Sequence, residues 1–130
     1  MTKRAAIKLL REWQTYLNLK DWQIEVRFCK DMPGRAGQVE SWHRKRVAEI
    51  TINEEGLLDD WELEDTIIHE LMHLLLKPLM YTLLGRIDED RVEYEMAEEE
   101  KLVELLTTRL HRLKGRKALS WPGYTIKGQR

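Results

Sequence analysis

Two imidazoles and a carboxylate fall close together in the stretch His69-Glu70-Leu71-Met72-His73. Residues four apart lie on one face of an α-helix, so His69 and His73 can reach a single metal ion. Glu70 is turned from His69 by about 100° of helix. It can therefore lean over the ion without binding it, as a base acting on metal-activated water must. The neighbours strengthen this reading: Ile67 and Ile68 come before, Leu71 and Met72 lie between, and Leu74, Leu75 and Leu76 follow. Polar groups in so apolar a run are costly to bury unless something satisfies them, and a metal does so. The plainer alternative is a pair of hydrogen-bonded core histidines with Glu70 turned to solvent.

The helix that must carry this motif has legible ends. Asp59 and Glu62 stand at capping-box spacing, and Asp60, Glu62, Glu64 and Asp65 suit the positive end of a helix dipole. Lys77 suits the other end, and Pro78 is expected to close the helix, giving a span of 60–77. Ile67, Ile68, Leu71, Leu74 and Leu75 form its expected core face.

A second long helix is expected over 90–113. Val92, Met96, Val103, Leu106, Leu110 and Leu113 make one stripe, and Glu99 fills its central gap. A carboxylate in an apolar stripe needs a partner. Catalytic zinc takes three protein ligands and keeps its fourth position open. Glu99 is thus the expected third ligand, ahead of Glu95 and Glu100. His43 and His111 fill no such gap and read as ordinary surface or hairpin histidines.

The remaining elements supply the frame. Ala6, Leu9, Leu10, Trp13 and Leu17 mark an amphipathic helix over 4–17, with Asn18 as its stop. Trp22, Ile24, Val26 and Phe28 alternate with polar neighbours, as in a half-buried strand. Pro33-Gly34 and Gly37 signal a turn, 38–43 a second strand and Arg44-Lys45-Arg46 a hairpin tip. In the third strand, 47–53, Ala48, Ile50 and Ile52 share a face. Short connections between successive strands predict an antiparallel meander. The stretch 79–85 reads as a short helix or a packed connection. The expected fold is α+β: an N-terminal helix, a three-stranded, mainly antiparallel sheet, the motif helix and the glutamate helix.

Composition narrows the function classes. A chain of 130 residues is the length of one domain, and a formal net charge of −1 leaves no basis for a nucleic-acid footprint. The lone Cys29 forms no internal disulfide and rules out a cysteine-built zinc site, which fits a reducing cytoplasm. No stretch reaches membrane-spanning length, and the N-terminus lacks the apolar core of a signal peptide. Neither nucleic acid nor membrane is an expected partner.

The His69–His73 motif, the strands before it and the later glutamate helix together resemble the gluzincin clan of zinc metallopeptidases. More closely, the chain resembles the minigluzincins and short His-Glu-x-x-His proteins of phages and prophages. The resemblance implies Zn2+ held by His69, His73 and Glu99, with Glu70 as general base, and a peptide or protein substrate. Metzincins fit less well, since their glycine and third histidine are replaced here by Leu76 and Leu79. The residue that steadies the tetrahedral intermediate stays open among His43, Tyr81, Tyr94, His111 and Tyr124. The 47–53 strand is the expected sheet edge for an extended peptide. The rival reading is a zincin-shaped module that binds zinc or a partner without turnover.

Residues 1–113 form the expected catalytic domain, with a basic tail over 114–130. Trp121 and Tyr124 flank Pro122-Gly123 there, a poor composition for a free tail. The tail is expected to dock on the domain, either outside its helices or across the zinc cleft.

Overall fold

In the computed structural model the chain runs α1 (Lys3–Tyr16), β1 (Gln23–Cys29), β2 (Gly37–Trp42), β3 (Val47–Asn53), α2 (Asp60–Leu84) and α3 (Glu89–Lys114). The structure describes residues 2–55, 59–84 and 89–114, with backbone alone over 81–84 and 89–95. This is the expected α+β order, built on a mixed sheet.

Local chemistry sets the element limits. The Thr2 hydroxyl accepts the Ala5 N–H and starts α1, and Asn18, at a left-handed φ of 60°, ends that region. The Asp59 carboxylate accepts the Glu62 N–H at the start of α2. Pro78 does not end α2, which continues to Leu84. Proline inside a helix removes one backbone hydrogen bond, at a cost of about 3 kcal/mol. Met80, buried two residues beyond, supplies apolar burial that offsets part of this cost.

The sheet order is β1-β3-β2, with β1 parallel to β3 and β2 antiparallel to it. The expected meander is therefore not formed. β2 and β3 make a hairpin whose tip includes Arg46, while the stretch between β1 and β2 carries the chain past the central place. β3, in that place, is the most buried strand. Ala48, Ile50 and Ile52 are wholly buried, and only a central strand is paired along both edges. Among the described residues β2 has one free edge, so β2 and not β3 is the edge strand beside α2.

The core lies between one sheet face and the helices. Ile24, Val26, Ala48, Ile50 and Ile52 meet Ala6, Leu10 and Trp13 of α1, Leu63, Ile67, Ile68, Leu71 and Leu74 of α2, and Val103 of α3. Leu75, expected in the core, is 39 % exposed, and Met72 is buried instead. Met96, expected on the inward stripe of α3, is also exposed.

His111 differs most from expectation, being 1 % exposed. Its Nδ1 lies 3.1 Å from Asp65 Oδ1 and its Nε2 3.1 Å from Glu64 Oε1, and its ring stacks on Trp61. Glu64 also accepts the Trp13 indole N–H at 2.7 Å and pairs with Lys114. This network ties the end of α3 to the start of α2 and to α1. Lys114, the first residue of the expected tail, closes α3; docking of the rest, from 115 onward, lies outside the described residues.

Candidate metal centre

The motif lies midway along α2, where that helix crosses α3. Facing apolar rows bury Ile67, Ile68, Leu71 and Leu74 on one side and leave His69 and His73 at the rim of a cleft. The cleft holds about 440 Å³ and is lined by 34–37 on the approach to β2, by Asp65, Thr66, His69, Glu70 and His73, and by Glu100 of α3.

His69 Nε2 lies 2.8 Å from Glu100 Oε1, and His73 Nε2 lies 3.0 Å from Glu100 Oε2. One ligand atom from each of these residues falls within 4.8 Å of the others, the group of this kind among the described residues. Tetrahedral zinc with bonds near 2.0–2.1 Å holds its ligand atoms about 3.3 Å apart. The spacing and the nitrogen-nitrogen-oxygen donor set both fit that ion.

Glu99 points elsewhere. Its side chain is 9 % exposed, and Oε1 lies 3.3 Å from His73 Nδ1, the ring nitrogen turned away from Glu100. The stripe argument identified a buried carboxylate that needs a partner, and the partner is an imidazole. The stripe and the cleft face different directions, because the Nε2 atoms converge at the cleft rim and the stripe faces inward. Glu100, one residue on and about 100° around α3, faces the rim. His73 thus turns Nδ1 to Glu99 and Nε2 to Glu100 at the cleft. This carboxylate–histidine arrangement is the usual support of a ligating imidazole.

Glu70 lies beside this group and is 6 % exposed. Burial pushes its carboxyl above the usual carboxylate range, opposed by His69 and His73, reinforced by Glu100 and opposed again by Arg35. Gly37 makes the close packing here possible. A Cβ at this position would lie 2.8 Å from Thr66 Cγ2, 3.1 Å from the Thr51 carbonyl oxygen and 3.6 Å from Glu70 Cγ. Thr66 cannot easily give way, since its hydroxyl donates to the Glu62 carbonyl at 2.8 Å. Glycine thus lets the edge strand enter directly against the motif helix.

Two of the open candidates for steadying an intermediate are placed away from the cleft. Both ring nitrogens of His111 face carboxylates, and His43 sits in the hairpin with its ring against Trp22. Glu100 and Arg35 were the lining residues that sequence patterns left unassigned or unnoticed. The run Glu98-Glu99-Glu100 marks the right turn of α3, but helix phase alone does not say which member faces α2. Pro33-Gly34 announced the turn that delivers Arg35, without showing what that turn faces. Among the described residues no helix is long and apolar enough to cross a membrane. Compared with protein-family models, curated proteins and solved structures, the chain matches none.

Proposed function

We propose that this protein is a zinc-dependent peptidase of gluzincin type, with His69, His73 and Glu100 as metal ligands and Glu70 as general base. The observation that carries the reading is the convergence of both Nε2 atoms on Glu100 beside a desolvated Glu70. Zinc bound there supplies Lewis acidity, which lowers the pKa of water and polarises a carbonyl. Glu99 holds the His73 ring in the tautomer that leaves Nε2 free. Glu70, its basicity raised by burial, takes a proton from the attacking water and returns it to the leaving amine. The edge of β2 that is free among the described residues, immediately beside Glu70, offers backbone N–H and carbonyl groups to an extended peptide. The free Cys29 suits a reducing compartment such as the cytoplasm.

Two measurements on the full chain test the reading. Protein purified without added metal is expected to carry about one zinc per chain by elemental analysis, and His73→Ala to lose it. Glu70→Gln is expected to keep zinc and fold while losing cleavage of a mixed peptide substrate. Zinc-free wild-type protein that cannot be loaded refutes the metal centre. Cleavage that survives in Glu70→Gln refutes the base, and loaded protein that cleaves no peptide returns the rival binding module.

A further inference from the structure

The loop carrying Arg35 is built more firmly than an ordinary surface turn. Arg35 N–H donates to the Met32 carbonyl at 3.2 Å across Pro33-Gly34, with Gly34 at φ 76°, as a type II turn requires. Asn53, 8 % exposed at the end of the central strand, holds this turn from beneath. Its Nδ2 donates to the carbonyls of Met32 at 3.0 Å and Arg35 at 2.8 Å, and its backbone N–H donates to Ala36 at 2.8 Å. A buried amide is costly unless its hydrogen bonds are made, and here they are spent on fixing the backbone of residues 32–36.

The side chain delivered by that turn is exposed, lines the metal cleft, and stands close enough to Glu70 to act on its charge. Arg35 makes no ion pair among the described residues. Apart from the two ligand histidines, it is the one cationic side chain of a lining that also contains Asp65, Glu70 and Glu100. An oxyanion stabiliser needs a rigid, water-excluded donor, and an exposed guanidinium is not one. Its planar fork is suited to binding a carboxylate from a substrate, in a cleft whose other charges repel one.

We infer that Arg35 is a specificity-determining residue that selects peptides carrying a carboxylate close to the scissile bond, as an acidic side chain or a free C-terminus. The inference rests on the proposed metal centre, and the test separates the two. The probes are short peptide hydroxamates, with the metal-binding group at either end, on zinc-loaded full-length protein. Each acidic probe carries Glu or a free C-terminal carboxylate next to the hydroxamate residue, and its neutral counterpart carries Gln or a C-terminal amide. Equilibrium binding is read by calorimetry.

Wild type is expected to prefer at least one acidic probe by about fivefold, the scale of an ion pair that stays partly in solvent, and to lose that preference as salt is raised. The Glu and free-acid probes identify which carboxylate is read. In Arg35→Gln the ratio of acidic to neutral affinity is expected to fall to about one, and Arg35→Lys to restore part of it. Equal binding of acidic and neutral probes by wild type, or a preference that survives in folded Arg35→Gln, overturns the inference while leaving the metal centre standing. Failure of every hydroxamate to bind the zinc-treated protein overturns the metal centre, and the inference with it.

Discussion

Glu99 and Glu100 are adjacent, chemically identical and assigned different work, so exchanging each for glutamine tests the geometry sharply. Glu100→Gln removes the anionic oxygens that lie 2.8 and 3.0 Å from His69 Nε2 and His73 Nε2. Zinc sites with four protein ligands bind with about 10–16 kcal/mol near neutral pH, or about 2.5–4 kcal/mol per ligand. With about 1.4 kcal/mol to each factor of ten, loss of one ligand is expected to weaken binding by about a hundredfold or more. Glu99→Gln keeps an oxygen that can accept from His73 Nδ1, 3.3 Å away. Disturbing such a supporting carboxylate costs about 10–100-fold, and the retained acceptor places this variant near the lower end. Competition against a chromophoric zinc chelator measures both constants. Glu98→Gln, at a residue engaged by Lys101 on the exposed side of α3, serves as the control. A larger loss in Glu99→Gln than in Glu100→Gln refutes the assignment, and wild-type affinity in both refutes a glutamate ligand on this turn.

Three further outcomes follow from the packing around the site. Burial raises the Glu70 carboxyl above 4.5 and the base works ionised, so kcat is expected to fall in acid with an inflection above pH 4.5; an inflection at or below that value contradicts a desolvated base. Gly37→Ala forces a Cβ to within 2.8 Å of Thr66 Cγ2, and the urea midpoint should report about 1–3 kcal/mol of lost stability, whereas unchanged stability would show that β2 does not press on α2. Burial pushes the Glu64 carboxyl up, but hydrogen bonds from Lys114 and Trp13 outweigh it and hold the group below 4.5. A depressed carboxylate stabilises fully above its unfolded value and loses that contribution as pH falls through its folded value. Lys114→Met should therefore narrow the stability gap between neutral pH and acid below about pH 4, as read from urea midpoints, and an unaltered pH profile would sink the network's electrostatic role.

Several elements were legible because their cause is local. The apolar alternation of Val47–Asn53 defines β3 to the residue, and Asp59 with Glu62 marks the start of α2 through a contact three residues long. Pro33-Gly34 gives the turn before β2 for the same reason. Pro78 misled because its local cost is real but is partly offset by tertiary burial further along α2. The meander failed on a related point: connection length limits which strands can pair, and burial decides which one takes the centre. The burial of His111 was not legible since its partners, Glu64 and Asp65, lie 47 and 46 residues away.

The sequence by itself determined the chemistry that is possible here. His69 and His73 share a face because helix geometry puts residues four apart together, and Glu70 stands beside them for the same reason. Everything needed for that statement lies within two turns of one helix. Which glutamate lies beside their Nε2 atoms was decided by tertiary structure. The choice between Glu99 and Glu100 turns on about 100° of rotation, and that angle is set by how α3 seats on α2 through Val103, the buried His111 and its carboxylates. The same holds for the edge strand and for Arg35. A strand's edge and a loop's outlook depend on what packs beside them, and no periodicity records it.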